Sequence, residues 1–484
     1  MHFAYVQDDL RLTNNLTLNL GVRYEYATPH WERDNILTNF DPVNLTMIQA
    51  KDGSIEDRST IKPDRNNFAP RLGFAYSVTP ETVVRGGYGI SYIHFNRAGG
   101  GNLLPINGPQ VINAVVNQTV PTDPSFVLTQ AGYPAGLTDP SRFNPLTANI
   151  TYMPNDYHSS PVQSWFISVQ RELWTNVLLD VAYVGNKASD LLLFANYNQA
   201  LPNNSQGNVP LQARRPIPQF SDITYAFNGG HSRYDSLQVK FDARLPGNLT
   251  LLNSLTLSKA TDNGSGSLEN PNGNFPAPQD FYNLGAEDGL SAYHQPYNNT
   301  TSFVWTLPIG RGHRFLAQSA DWVDVLAGGW SLSGINSIYS GEMATLQYTP
   351  QATFVVSGIQ QDFRGANNYR PNLIGDPYGD KSSVTNYLNP ANVVLPTDPS
   401  QPFGNAPRNN IRGPMFWQFD AVASKNVRLP VGNQTMMQFR IEAFNLFNHT
   451  NFRAPNTNRS AGTFGTITST YDPRQLQLGI KLLF

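Results

Sequence analysis

Apolar and polar residues alternate along much of this chain, most regularly over residues 475–484. The apolar positions there are Leu476, Leu478, Ile480, Leu482 and Phe484. Positions 475, 477, 479 and 481 are polar or glycine. Because successive side chains of a β-strand point to opposite faces, this period of two predicts a strand with one apolar and one polar face.

The same alternation recurs throughout the chain and predicts thirteen strands. In 16–26 and 237–245, for example, one set of alternate residues is apolar and the other is mainly polar. Many runs are long, about ten to fourteen residues against five or six for a typical strand, and this length suits a tilted strand that crosses a membrane. The predicted strands lie near 2–11, 16–27, 67–78, 82–95, 162–173, 176–187, 233–245, 249–261, 295–307, 328–349, 414–428, 433–447 and 472–484.

We single out nine charged residues of the polar set as candidates for an inward-facing wall. They are Arg23, Glu25, Arg71, Arg85, Lys240, Asp242, Arg244, Arg440 and Glu442. If the strands close into a barrel with the apolar set outside, these side chains face the interior. We expect them to form a solvated network along the wall, and a role in a ligand path is the alternative.

The connections between the predicted strands alternate in length. Short ones lie at 13–15, 79–81, 174–176, 246–248 and 429–432. The connection 308–327 is of intermediate length, and the alternation of ends along the chain assigns it to the same end as the short ones. Long ones lie at 28–66, 96–161, 188–232, 262–294, 350–413 and 448–471. Short turns at one end and long loops at the other are typical of an outer-membrane β-barrel.

Aromatic residues recur near the predicted strand ends, as in the two belts of a membrane protein. They are Tyr26, Tyr92, Trp165, Trp174, Trp305, Trp330 and Trp417.

The strand count of thirteen is odd, whereas bacterial single-chain barrels have an even number. Since Met1 to Val6 already reads as a strand and lacks the features of a signal peptide, we expect a partial barrel over 1–484, with roughly nine strands of a barrel of about 22 missing.

Composition narrows the choice of class. Only 14% of the 484 residues are charged, the net charge is −2 and there is no cysteine. A disulfide framework, a thiolate metal site and a cysteine nucleophile are therefore excluded, and no basic field favours nucleic acid. No apolar run approaches 18 residues, which argues against a helical membrane span.

Candidate chemistry is sparse. The eight histidines show no zinc-site spacing, and 262–274 lacks the alternating ligands and closing Glu of a calcium loop. No nucleophile elbow or Walker loop is present, although a triad built from distant residues stays open. We therefore predict no cofactor, no metal and no enzymatic activity.

Several segments resemble the barrel of TonB-dependent outer-membrane receptors, specifically the Oar-like group that carries a carboxypeptidase-regulatory-like domain. The most specific are the run EAFNLFNH at 442–449 and the terminal strand. Others lie at 5–9, 16–25, 70–76, 84–89, 328–330, 408–414 and 419–420. The resemblance covers nearly the whole chain, but the signal peptide, plug domain and N-terminal β-sandwich of that group do not match any part of 1–484.

The resemblance implies partners and a place in the cell. It implies the outer membrane of a Gram-negative bacterium, with membrane lipid and lipopolysaccharide around the barrel and a TonB energy complex acting through a plug. The terminal strand, Leu476 to Phe484, resembles the signal that barrel-assembly machinery reads by pairing with an exposed edge. The implied function is import of a large polar extracellular ligand such as a glycan, peptide or metal chelate.

Two other functions stay open at this point. The barrel could anchor a surface-exposed binding or adhesion protein that transports nothing. The same alternation would also suit a soluble β-rich carbohydrate-binding protein, whose apolar faces pack against a second sheet.

Overall fold

The computed structural model describes residues 1–94, 107–109, 139, 141, 143–148, 150–203, 209–265, 278–349, 355–356, 359–360, 368–396, 402–429 and 435–483. Thirteen long strands pair in chain order as one antiparallel sheet over this part. They are β1 His2–Arg11, β2 Leu16–Tyr26, β3 Phe68–Thr79, β4 Thr82–Ile93, β5 Ser160–Trp174, β6 Val177–Asn196, β7 Ile223–Leu245, β8 Leu249–Asp262, β9 Tyr297–Thr306, β10 Trp330–Tyr339, β11 Phe416–Arg428, β12 Met436–Phe444 and β13 Gln475–Leu483. The predicted all-β fold and each of the thirteen predicted strands are confirmed.

The register aligns the apolar positions of neighbouring strands on one face of the sheet. Leu20 lies opposite Leu72, which lies opposite Tyr88 on its other side. At the far end, Ile441 lies opposite Leu478. Since directly opposed residues of antiparallel strands share a face, one apolar surface runs from β1 to β13.

This apolar surface is open to its surroundings. Val22 is 44% exposed, Ile167 is 50% exposed and Leu478 is 79% exposed. A second sheet or a layer of helices would bury these side chains, as in a soluble sandwich. Large exposed apolar areas of this kind mark contact with lipid or another apolar partner.

The short turns between neighbouring strands all lie at one end of the sheet. A two-residue turn joins β5 to β6 at Asn176, whose φ is 64°. A three-residue turn joins β7 to β8 at Gly247 and Asn248, with φ values of 85° and 62°. Asn and Gly adopt this left-handed backbone at low cost, so these residues fix where each hairpin reverses.

The long connections at the other end fold around small cores of their own. One core contains Leu346, Leu388, Val393 and Ile411, and a second contains Phe40, Ile150, Phe220 and Ile223. A third contains Ile61, Met153, Tyr157 and Ala226. The loops therefore form a packed layer over this end of the sheet.

Short elements stabilise this layer. The small strands are Thr38–Asp41 with Thr46–Gln49, Ile150–Tyr152 with β7, Gly289–Leu290 with β8, Met343–Ala344 with Ile411–Arg412, Val355–Val356 with Ile359–Gln360, and Asn372–Leu373 with Val393–Val394. Helix α1 spans Ile55–Ser59, and 3₁₀ turns span Leu211–Arg214 and Leu284–Glu287.

Helix α2, Asp321–Ala327, lies at the opposite, short-turn end of the sheet. No helix in the described part of the chain is long and apolar enough to cross a membrane.

The sheet is open, with β1 and β13 at its two edges. Neighbours in the sheet are antiparallel, so the first and thirteenth strands run in the same direction. The aromatic residues predicted as belts divide between the ends: Trp174, Trp305 and Trp330 lie at the short-turn end, and Tyr26, Tyr92, Trp165 and Trp417 lie toward the loop end.

Candidate functional site

The register places all nine predicted polar residues on the face opposite the apolar surface. Arg23 shares its row with Ala69 of β3, and Arg71 lies opposite Gly89 of β4. Lys240 lies opposite Asp180 and Ser254, and Glu442 lies opposite Val422 and Gln477. The same alternation carries Glu25, Arg85, Asp242, Arg244 and Arg440 to this face, which we call the polar face.

Arg23 and Glu25 form the most buried ionic group of the polar face, at the loop end of β2. Arg23 Nε donates to Glu25 Oε1 at 2.7 Å, and His94 Nε2 lies 2.8 Å from Glu25 Oε2. His94 Nδ1 lies 2.8 Å from Ser159 Oγ. The side chain of Glu25 is only 3% exposed, so its carboxylate is held by partners rather than by water. The sequence did not reveal His94 or Ser159, because both come from a distant connection.

The remaining polar-face residues do not converge on one cluster. Arg440 pairs with Glu442 at 2.6 Å on β12. Arg71 and Arg85 are exposed and form no ion pair with a described residue. Lys240, Asp242 and Arg244 lie along β7, several strands from either group. This spacing suits a charged wall and does not bring together the groups of a catalytic site.

Among the described strands, β12 is the one partner of the terminal strand β13. The side chains of Leu476, Leu478, Ile480 and Leu482 are 69%, 79%, 71% and 48% exposed, all on the apolar surface. Phe484 lies outside the described residues. The four described residues give the edge of the sheet a continuous apolar face, as a strand that borders lipid requires.

A stack of aromatic rings lies in the loop layer. The strand Ile150–Tyr152 pairs in parallel with the start of β7, which places Tyr152 opposite Tyr225. Their ring centres are 5.0 Å apart at an interplanar angle of 12°, and Tyr225 stacks on Phe227 at 4.3 Å. Tyr197 meets Tyr152 and Tyr225 edge-on at 5.2 and 5.3 Å. We call Tyr152, Tyr197 and Tyr225 the tyrosine cluster.

The hydroxyl groups of the tyrosine cluster form no hydrogen bond with any residue that the structure describes. Burial, followed by the neighbouring tyrosines, raises the pKa of Tyr152 to about 12. The phenol is therefore neutral at any physiological pH and can donate a hydrogen bond. Its rings come from the β4–β5 connection, the β6–β7 connection and the start of β7, so no local pattern in the sequence predicts the cluster.

A buried ionic network ties two long connections to β8. Arg370 Nη1 pairs with Glu287 Oε2 at 2.5 Å, and Arg408 pairs with Asp262 at the end of β8. Arg408 Nε also donates to the Glu287 carbonyl at 2.9 Å. All four side chains are at most 5% exposed. Two cations balance two anions, so the network can be buried without a net charge.

The network accounts for Asp262, the first residue of the segment inspected for calcium. Its carboxylate binds Arg408 and the Ser265 hydroxyl, and the rest of that segment from 266 lies outside the described residues. Within the described ranges, no group of three or more His, Asp or Glu side chains is arranged to hold a metal ion.

The family comparison gives one match that covers almost the whole chain. Residues 1–477 match the model of a family described as "Outer membrane beta barrel domain". No curated protein matches the chain by sequence.

Solved structures with a similar arrangement are distant in sequence. They include the outer membrane transporter YddB from Escherichia coli, with 12% identity and a TM-score of 0.48, and the FrpB iron transporter from Neisseria meningitidis, with 11% identity and a TM-score of 0.44. The siderophore receptor PiuA from Acinetobacter baumannii has 10% identity and a TM-score of 0.45. Each similarity covers 99% of this chain but only 44%, 44% and 42% of the three structures, so the chain spans less than half of their length.

Proposed function

Because the chain belongs to the outer membrane beta barrel domain family, we propose that it forms part of the barrel of a TonB-dependent receptor. It is located in the outer membrane of a Gram-negative bacterium, where its apolar surface faces lipid. The receptor binds a large polar ligand at its long loops and imports it along the polar face. A soluble carbohydrate-binding protein does not fit a family of outer-membrane barrels.

One observation carries this proposal: the loop layer is packed, yet the three hydroxyl groups of the tyrosine cluster have no hydrogen-bond partner among the described residues. Neutral phenols beside aromatic rings offer both hydrogen-bond donors and apolar contact. Glycans, peptides and metal chelates all present oxygen acceptors next to apolar groups, and these are the ligand classes that we propose. Phe281, 5.8 Å from the Tyr197 ring, extends the same surface.

The polar face provides the route in this proposal. Its charged residues line the wall, with Arg71 and Arg85 free to contact a ligand or a plug domain. Energy is supplied by a TonB complex acting on a plug elsewhere in the receptor. Membrane lipid and lipopolysaccharide surround the apolar surface, and barrel-assembly machinery recognises β13, including Leu476 to Phe484.

The first test separates import from adhesion. Cells that produce the receptor are given labelled oligosaccharides, peptides and ferric chelates, and bound and internalised label are measured with and without a proton-motive force. Import that stops when the force is collapsed, while surface binding persists, supports the receptor. Binding without import under either condition supports the surface-adhesion alternative instead.

The second test addresses the ligand surface. Tyr225→Phe removes one hydroxyl and keeps the stacked ring. We expect about five-fold weaker binding of the labelled compound that the receptor binds, since one hydrogen bond contributes about 1 kcal/mol. Tyr293→Phe is the control, because Tyr293 is 66% exposed and lies outside the cluster. Equal binding by both variants would remove the tyrosine cluster from the proposal.

A further inference from the structure

The connection between β9 and β10 is unlike the other turns at its end of the sheet. The turns at 12–15, 80–81, 175–176 and 246–248 have between two and four residues. The connection at 307–329 is several times longer and contains helix α2, Asp321–Ala327. In outer-membrane barrels the short-turn end faces the periplasm, so this segment lies at the periplasmic border of the membrane.

Helix α2 presents an apolar stripe to its surroundings. Trp322, Val325 and Leu326 are 70%, 54% and 65% exposed. Their spacing of three and four residues places them on one side of the helix. Phe315 and Leu316, just before the helix, are 54% and 48% exposed. An apolar patch of this size facing water is unfavourable, so it requires a partner.

The segment is held firmly enough to present this stripe in one orientation. Asp324 Oδ1 accepts a hydrogen bond from the backbone N–H of Arg311 at 2.6 Å, and the Arg311 guanidinium pairs with Asp321. Arg311 Nε also donates to the Ser319 carbonyl at 3.0 Å. Both acidic residues of the helix are thus paired with Arg311, and these contacts tie α2 to the residues before it.

The helix is attached to the apolar surface of the sheet. Trp330 lies on that surface opposite Lys425, and its indole N–H donates to the Leu326 carbonyl at 3.0 Å. The Lys425 ammonium donates to the Gly328 carbonyl and lies 5.3 Å from the centre of the Trp330 ring. These contacts hold the C-terminal end of α2 at the apolar surface of the sheet, where Trp305 on β9 adds a second tryptophan.

We propose that residues 311–327 form an interfacial anchor that lies in the periplasmic leaflet of the outer membrane. Trp322, Val325 and Leu326 insert among the phospholipid acyl chains, at the depth that short amphipathic helices and tryptophan belts occupy. Arg314 is exposed and forms no ion pair with a described residue, so its guanidinium is free for lipid phosphate. The anchor fixes the height of the β9–β10 hairpin relative to the bilayer.

The absence of natural cysteine makes the test direct. Leu326→Cys and, separately, Val325→Cys are introduced into the full protein, with Asn14→Cys in the exposed 12–15 turn as the control at the same end of the sheet. Outer membranes are isolated from producing cells, with the cysteine-free parent as background. The rate of reaction with a hydrophilic maleimide is measured before and after detergent, and a fluorescent label is quenched with 5-doxylstearic acid or iodide.

The anchor predicts at least ten-fold slower maleimide reaction at 325 and 326 than at 14 in intact membranes, with the difference lost in detergent. It also predicts quenching of the label by the lipid-dissolved doxyl group and protection from iodide. Reaction as fast as at 14, with quenching by iodide, overturns the proposal. Slow reaction without doxyl quenching overturns it as well, because it shows that a protein covers the stripe.

Discussion

Four charged side chains in the loop layer are buried, and each depends on an oppositely charged partner. Arg370, Arg408, Glu287 and Asp262 are almost fully buried and neutralise one another. A buried ion pair adds little net stability compared with apolar packing, but removal of one partner leaves an uncompensated charge. The network therefore acts as a fixed link between β8 and the connections that carry Glu287, Arg370 and Arg408.

Glu287→Gln tests this link. The substitution leaves Arg370 and Arg408 with one carboxylate between them, and we expect a loss of about 3 kcal/mol in the free energy of local unfolding, since breaking a buried pair is strongly destabilising. Hydrogen exchange of the amides in 278–296 and 402–412 measures the change. The control is Glu342→Gln, because Glu342 and Arg453 are each 48% exposed and 3.8 Å apart and such a pair contributes at most about 1 kcal/mol.

At the scale of elements, alternation predicted strands well where both faces have a fixed environment. It was less accurate where the strands leave the membrane. The end of β6 was predicted at 187 and lies at Asn196, and β7 begins at Ile223 rather than 233. Register shifts on both sides of Gly230 interrupt the period there, so the polar pattern of the extensions resembles a loop.

The opposite error occurred at β10, predicted to reach 349 but ending at Tyr339. Leu346 and Tyr348 continue the apolar pattern, yet both are buried in the loop layer, where Leu346 packs beside Leu388. Period alone does not distinguish an apolar residue that faces lipid from one that fills a loop core. Only the tertiary contacts separate the two.

The two faces of β13 provide a matched pair of substitutions. We expect Leu478→Arg to destabilise the barrel by about 2 to 4 kcal/mol, because it places a charge on the apolar surface near the middle of the strand. Gln477→Arg, one residue away on the polar face, should cost far less. The amount of receptor assembled in the outer membrane and its heat-modifiable migration on a denaturing gel measure both; equal effects would contradict the assignment of faces.

At the scale of the whole molecule, the odd number of described long strands limits how the sheet can close into a barrel. β1 and β13 run in the same direction, so joining them directly would create a parallel pair in an otherwise antiparallel barrel. An antiparallel closure needs an odd number of further strands. Without them, both edges leave backbone N–H and C=O groups unpaired in lipid, which costs several kcal/mol for each group.

We therefore expect residues 1–484 produced alone to misfold or aggregate in detergent. Gel filtration and heat-modifiable migration measure this outcome. Co-production with the strands that complete the barrel should restore a compact, heat-modifiable form, and co-production with an unrelated soluble domain is the control. A monodisperse folded product from 1–484 alone would contradict the prediction, because it would show that the open edges can be satisfied without partners.

The strands, the two faces and the division into short turns and long loops were all predictable from the amino-acid sequence. This was possible because a period of two, a Gly or Asn at a reversal and the length of a connection are all local properties of the chain. The tyrosine cluster, the buried ionic network, the His94 contact and the attachment of α2 to Trp330 depend on the fold and could not be predicted. Several of these contacts join residues more than 60 positions apart, and only the folded loops and the register of the sheet bring them together.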